Sequence, residues 1–190
     1  MDQAYIEGRS FTKIASPLSK GEYENCTFIN CDFSNGDLTD IKFVECEFNG
    51  CNLSLAKLIN TALRDVRFKE CKMLGLHFEK CNEFGLSFSF DNCNLSQCSF
   101  YRTKLKKTMF RKSHVIEADF TECDLTGSVF DMCDLKGATF DHSVLEKVDL
   151  RTSFNYSIDP TINRIKKARF SLLVVRGLLD RFDIEIDDAK

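Results

Sequence analysis

The sequence predicts an all-β solenoid, in which short extended segments and bends wind into a four-sided coil. Two observations predict this fold class. A large apolar residue recurs at every fifth position, and a small residue lies two positions before almost every one of them. Neither the 3.6-residue turn of an α-helix nor the two-residue alternation of a strand has a period of five. Each five-residue unit is therefore a short extended piece followed by a bend.

The large inward residues, which we call centres, run from Tyr23 to Phe78 and then, two residues out of phase, from Phe90 to Leu150. From Phe90 to Leu145 they alternate between aromatic and aliphatic, with Val115 in place of one leucine. Such alternation stacks like on like only when the number of sides is even. Two sides would leave no interior, so four sides and about twenty residues per coil fit best.

The small inward position explains the 10 cysteines. Nine of them occupy it, and Cys81 lies on the phase of Leu76, one of three oversized exceptions with Ile41 and Phe88. The chain has no CxxC pair, and the cysteine spacings are multiples of five except across the phase shift, so metal-ligand spacings are missing. We expect free, buried cysteines in a reducing compartment and no bound metal.

The pattern in "ADFTECDLTGSVFDMCDLKGATF" (118–140) resembles the pentapeptide-repeat proteins, whose fold is a right-handed quadrilateral β-helix. The resemblance covers residues 21–154 and leaves a lead-in or cap at 1–20 and a different segment at 155–190. It implies a β-helix, and the phase shift of the centres predicts a two-residue register slip near 79–90. A strict register would bury Glu83, so we expect the slip to start before that residue and to form a bulge or kink.

The segment 155–190 predicts a short α-helical cap and a dimerisation segment. Asp159 followed by Pro160 is typical of one helix start, and Ser171 of a second. An apolar stripe at helical spacing follows, which could close the open end of the solenoid or join a second subunit. The resemblance to the Qnr and MfpA type, which dimerises through its C-terminal end, implies a homodimer. The stripe consists of Leu172, Val175, Leu178, Leu179 and Phe182.

Charge is the other functional signal in a chain of net charge −3. Acidic residues concentrate between Glu117 and Asp149, whereas 102–112 is basic. The resemblance to the Qnr, MfpA and microcin-immunity type implies a DNA mimic that binds DNA gyrase or topoisomerase IV. The candidate partner-binding residues are Glu117, Asp119, Glu122, Asp124, Asp131, Asp134 and Asp141.

Alternative interpretations remain open at this point. The chain could be a scaffold or adaptor rod with another protein partner, and acidic side chains also serve simply to keep a rod soluble. Direct nucleic-acid binding by 102–112 is disfavoured, because stacking aromatics are missing beyond Tyr101 and the flanking acids repel phosphate.

Several function classes are not indicated by the sequence. No apolar run exceeds four residues and the N-terminus lacks the apolar segment of a secretory signal, so we expect a cytoplasmic protein without a membrane span. His77, His114 and His142 fall at outward positions, and no glycine-rich phosphate loop is present. We therefore expect no catalysis, no cofactor and no small-molecule substrate.

Overall fold

The computed structural model describes residues 4–15 and 17–187 and shows a parallel β-solenoid. Its strands form two sheets, in the orders β1-β3-β5-β7 and β2-β4-β6-β8-β9-β10-β11, and neighbouring strands pair in parallel. The strands are β1 Ala4–Glu7, β2 Ser10–Thr12, β3 Gly21–Glu24, β4 Thr27–Ile29, β5 Lys42–Val44, β6 Glu47–Asn49, β7 Ala62–Arg64, β8 Val66–Lys69, β9 Phe88–Asp91, β10 Met109–Arg111 and β11 Val129–Asp131.

The rod has four faces, which we number in chain order, and isolated parallel bridges continue the ladder where strands are too short to be named. Face 1 has the centres Tyr23, Phe43, Leu63, Leu105, Leu125 and Leu145. Face 2 has Phe28, Phe48, Phe68, Phe90, Phe110, Phe130 and Leu150. Face 3 has Phe33, Leu53, Met73, Leu95, Val115 and Leu135. Face 4 has Leu38, Leu58, Phe78, Phe100, Phe120 and Phe140.

The core is a set of stacked columns, as the alternation of centres predicts. On face 4, Phe120 stacks on Phe100 at a centroid distance of 4.9 Å and on Phe140 at 5.1 Å. Across the interior it meets Phe130 of face 2 at 5.8 Å with the ring planes at 90°. Stacked and edge-to-face pairs are the favourable geometries of aromatic rings, so the phenylalanine columns of faces 2 and 4 stabilise each other.

The small inward position does more than leave room. In most coils its hydroxyl or thiol donates to the carbonyl oxygen of a centre in the preceding coil, as Thr61 does to Leu38 at 2.8 Å, Ser153 to Phe130 at 2.8 Å and Cys51 to Phe28 at 3.3 Å. The Ser153 hydroxyl also accepts a hydrogen bond from the backbone N–H of Cys133. Serine, threonine and cysteine are therefore frequent here because they satisfy buried backbone groups.

Most corners of the coil share one type of turn, in which the same positions have the same backbone conformation and hydrogen bonds. The residue two positions after a centre adopts left-handed backbone, as Asn25, Asn30 and Asn35 do with φ of 51°, 51° and 54°. Asparagine and glycine tolerate that conformation better than other residues, which explains their frequency at corners. An Asp or Asn just before the centre often accepts a hydrogen bond from the N–H two residues later, as in the turn from Asp37 to Thr39.

The register slip lies on the coil between Phe78 of face 4 and Phe90 of face 2, and its additional residues fall on face 1. Phe68 pairs with Phe90, twenty-two residues on, whereas Phe48 pairs with Phe68 at the regular twenty. A 3-10 helix at Phe78–Lys80 begins the irregular segment, and a turn follows in which Glu83 is exposed and Phe84 is 77% exposed. The slip therefore forms a projecting bulge that keeps the Glu83 carboxylate in solvent.

The coil continues at both ends beyond the repeat that the sequence shows. Strands β1 and β2 pair with β3 and β4, so part of the segment assigned to an N-terminal lead-in is itself coil. At the other end, Val144 bridges to Arg164 and Asp149 to Arg169.

The prediction of two α-helices in the C-terminal segment is wrong. The carboxylate of Asp159 accepts from the N–H of Thr161 at 2.8 Å, which is the same turn that the coil uses at Asp37, and Asn163 is buried inside the rod. A helix N-cap and this turn use the same residue types, so the sequence signal is ambiguous. The described part of the end contains only two 3-10 helices, Val175–Leu178 and Asp180–Phe182.

Candidate functional site

The seven candidate acids lie in one stretch of the sequence but are distributed over all four faces of the rod. Asp124 lies on face 1, Asp131 on face 2 and Asp134 on face 3. The other four lie on face 4 and its two corners, and we call this group the acidic face. It consists of Glu117, Asp119, Glu122 and Asp141.

Three of the candidate acids also hold the backbone. The carboxylate of Asp119 accepts from the N–H of Thr121 at 2.9 Å, that of Asp124 from Thr126 at 3.1 Å and that of Asp134 from Lys136 at 3.2 Å. Burial opposes ionisation of Asp124, but hydrogen bonds from Thr126 and Lys106 outweigh it and lower its pKa. Asparagine can accept the same backbone hydrogen bond, so a neutral substitution that preserves the turn is available at each position.

Ion pairs neutralise part of this acidic charge. Glu122 accepts hydrogen bonds from Arg102 at 2.7 Å and 3.1 Å, and this contact lowers the pKa of Glu122. Lys106 pairs with Asp124 at 3.1 Å. Within residues 4–15 and 17–187, Glu117, Asp119 and Asp141 form no ion pair, so the acidic face keeps most of its negative charge.

Face 1 presents the opposite charge in the C-terminal half of the rod. Lys106 and Arg164 on this face pair with Asp124 and Glu146. Other exposed lysines of the face have no acidic partner in the described part of the chain, and we call them the basic face: Lys104, Lys107, Lys147, Lys166 and Lys167. Sequence reasoning found the stretch 102–112 but missed this face, because 164–167 was assigned to a helix.

The apolar stripe of the C-terminal end is divided by the structure. Leu178 packs against the core, and Val175 and Leu179 are half-buried. Leu172 is 90% exposed and Phe182 is 46% exposed, and Leu173, outside the predicted stripe, is 88% exposed. The end of the rod therefore both covers its own core and leaves apolar side chains in solvent.

Among the residues that the structure describes, no group of three or more His, Cys, Asp or Glu side chains is arranged to hold a metal ion. All ten cysteines are free and buried in the rod. Burial raises the pKa of Cys123 to about 12, which suppresses its thiolate, whereas hydrogen bonds with Cys71 lower the pKa of Cys51 and of Cys93. Residues 4–15 and 17–187 contain no helix with the length and hydrophobicity needed to cross a bilayer.

Comparison with known proteins identifies the repeat. A family model described as "Pentapeptide repeat region" matches residues 22–89 and 77–150. The chain belongs to the pentapeptide-repeat family. The fold class that the sequence predicts is thereby confirmed, since the two matches together span the central coils of the solenoid.

One solved structure with a TM-score above 0.5 shares the fold of this chain. A trypsin-treated form of QnrB1, described as a plasmid-mediated fluoroquinolone resistance protein, is 21% identical with a TM-score of 0.58, and the alignment covers 97% of this chain and 98% of QnrB1. HetL of the cyanobacterium Nostoc, described as involved in heterocyst differentiation regulation, is 16% identical with a TM-score of 0.41 over 88% of this chain and 85% of its own. No curated protein sequence matches.

Proposed function

We propose that this pentapeptide-repeat protein is a non-catalytic binding rod that acts on DNA gyrase or topoisomerase IV. The observation that carries the proposal is the acidic face, which gathers four carboxylates of one sequence stretch on one side of the rod. The fold-level likeness to QnrB1, itself described as a fluoroquinolone resistance protein, supports the choice of partner. The acidic face would occupy the surface on which the enzyme holds duplex DNA.

The magnitude of the charge decides how much of the rod can act in this way. Residues 21–150 contain 21 acidic and 15 basic residues, so their net charge is −6. Their coils form a rod of roughly 31 Å at about 4.8 Å per coil, and duplex DNA of that length carries on the order of 18 negative charges. The whole rod is too weakly acidic to replace DNA, so the mimicry is confined to the acidic face.

A homodimer completes the proposal. The exposed side chains of Leu172 and Phe182 lie at the end of the rod nearest the acidic face. A second copy that covered them would place two acidic faces about a two-fold axis. The DNA gate of a type II topoisomerase is also two-fold, so the dimer and its target would share symmetry. This role requires no cofactor and places the protein in the cytoplasm with its target.

The test is gyrase supercoiling with and without a quinolone. The variant carries four substitutions, Glu117→Gln, Asp119→Asn, Glu122→Gln and Asp141→Asn, which remove charge and preserve hydrogen-bond acceptors. We expect the wild-type protein to alter supercoiling or its inhibition by the quinolone, and the variant to lose at least tenfold in potency.

The matched control carries Asp131→Asn and Asp134→Asn, on faces 2 and 3. We expect it to keep the wild-type potency, because these carboxylates point away from the acidic face. The same assay is repeated with topoisomerase IV and its relaxation activity. A wild-type protein that affects neither gyrase nor topoisomerase IV, at concentrations well above that of the enzyme, would remove the topoisomerase proposal.

A second candidate function is a scaffold or adaptor rod for another protein. The basic face favours it, because a topoisomerase surface that binds DNA is itself cationic and would repel the five lysines. The supercoiling assay separates the two candidates, since an adaptor leaves gyrase unaffected.

A further inference from the structure

The register slip opens the solenoid wall. In a regular coil the backbone N–H groups and carbonyls of each face bond to the neighbouring coils, as the N–H of Asp124 does to the carbonyl of Thr103 in the preceding coil at 3.1 Å. At the slip, no backbone hydrogen bond joins residues 79–87 to 100–108, although all of these residues are described. The ladder resumes at β9 and β10. At the corner between faces 4 and 1, these two successive coils are therefore not joined by backbone hydrogen bonds.

A cavity of about 420 Å³ fills this opening, within the size range of small-molecule sites. Its inner wall is apolar and includes Phe78, Cys81 and Leu86, of which Phe78 and Cys81 are buried core residues. Its outer wall includes Arg102 and Lys104 of the next coil. A regular pentapeptide coil has no such space, because its neighbouring coils are in contact along every face.

The carboxylate of Glu79 is the polar group on the wall that lacks a partner. Its Oε1 lies 2.9 Å from Nδ1 of His77, whereas its Oε2 is fully buried and has no hydrogen-bond partner in the protein. A buried acceptor without a donor is destabilising, because it has lost its hydrogen bonds to water. A rotation of the carboxylate that turned Oε2 into the cavity would let a ligand donate a hydrogen bond to this oxygen and satisfy it.

The charges around the cavity favour a cation as the donor. Glu79 and Glu83 both line it, and Arg102 is engaged by Glu122. Lys104 is the positive group without an acidic partner within the described residues, and it is exposed at the outer wall. Near Glu79 the site is therefore negative, and beyond it the wall is aromatic and aliphatic.

We propose that this cavity binds a small organic cation, a primary amine carried on an apolar body. The ammonium group would donate to Oε2 of Glu79 after the carboxylate turns this oxygen into the cavity, and the apolar body would pack against Phe78 and Leu86. The cavity adjoins the acidic face, since Arg102 on its wall pairs with Glu122, but the proposal does not depend on a topoisomerase partner.

The probes are phenethylamine, 2-phenylethanol and phenylacetate, which share a ring and differ in charge. Binding is measured by isothermal calorimetry and by amide shifts in ¹H–¹⁵N spectra of the full chain. We expect phenethylamine to shift the amides of residues 78–86 and 101–104 and to bind at least tenfold tighter than either other probe. Equal binding of the three probes, or shifts confined to other residues, would overturn the proposal.

Substitutions test the role of Glu79. We expect Glu79→Gln to weaken phenethylamine binding at least tenfold and to leave 2-phenylethanol binding unchanged. The matched control is Lys104→Gln on the opposite wall, which we expect to leave phenethylamine binding unchanged or stronger. A Glu79→Gln variant with wild-type affinity would contradict the proposed contact. If that variant does not fold, the charge selectivity of the wild-type protein still decides the question.

Discussion

Replacement of Phe120 by alanine tests the column structure of the core. Phe120 is fully buried, stacks on Phe100 and Phe140, and meets Phe110 and Phe130 edge to face. Truncation of a buried phenylalanine typically costs about 3 to 5 kcal/mol, which includes the cavity that remains. The columns cannot close this cavity, because ladder bonds hold the coil on either side, such as Phe120 N–H to the carbonyl of Thr139 at 2.8 Å.

We therefore expect a cost near the upper end of that range, about 4 to 5 kcal/mol, since two stacked contacts and two edge contacts are lost together. Chemical denaturation followed by far-ultraviolet circular dichroism measures it, because the chain has no tryptophan. The slope of the transition must stay constant for the midpoints to be compared, since long repeat arrays can lose cooperativity.

The matched controls are Phe120→Leu and Glu122→Gln. Leucine occupies the same face at Leu38 and Leu58, so Phe120→Leu should cost well under half as much as Phe120→Ala. The ion pair of Glu122 with Arg102 is exposed and screened by solvent, so Glu122→Gln should leave the midpoint almost unchanged. Equal midpoint shifts for Phe120→Ala and Glu122→Gln would refute the inward assignment of the centres.

Ser128→Ala should lower the free energy of unfolding by about 1 to 3 kcal/mol, because its hydroxyl serves two buried backbone groups, whereas Ser128→Cys should cost less in the same denaturation assay. Leu172→Asp with Leu173→Asp should convert a dimer to a monomer in analytical ultracentrifugation and leave the circular dichroism unchanged. Freshly purified protein, denatured without reductant, should titrate close to ten thiols, and several native disulfides would contradict the buried-thiol assignment. Arg151 lowers the pKa of Asp149, so the ionised carboxylate stabilises the fold at neutral pH and this contribution is lost as pH falls through its lowered pKa. Asp149→Asn should therefore destabilise at pH 7, and its difference from wild type should shrink towards pH 2.

The repeat could be predicted from the sequence because its signal is local and redundant. Every centre from Phe90 to Leu150 repeats the same five-residue requirement, so errors at one position do not propagate. For the small inward position, the sequence shows the size of the side chain but not its hydrogen bonds. Cysteine at Cys51 indicates a small buried residue, but its hydrogen bond to the carbonyl of Phe28 depends on which coil lies beneath it.

The C-terminal end could not be predicted because its signals have two structural meanings. Asp159 caps a turn of the coil with the same hydrogen bond that would begin a helix. The basic face was missed for the same reason, since Lys166 and Lys167 align with Lys147 and Lys107 only if the coil continues past residue 155. Pairing between distant coils, and not local propensity, determines which charges become neighbours.

The opening at the slip was invisible in sequence. The two extra residues near Glu83 predict a bulge, but the missing hydrogen bonds to the next coil and the buried Oε2 of Glu79 are properties of the assembled rod.

Displacement of DNA from gyrase tests the central claim most directly. A fluorescently labelled duplex bound to the enzyme is titrated with this protein, and its anisotropy reports release. We predict that the wild-type protein releases the duplex and that the acidic-face variant, with its four charges removed, requires at least tenfold more protein. The Asp131→Asn and Asp134→Asn control should behave as wild type. A duplex that stays bound at saturating protein, or that the acidic-face variant releases equally well, would contradict DNA mimicry by the acidic face.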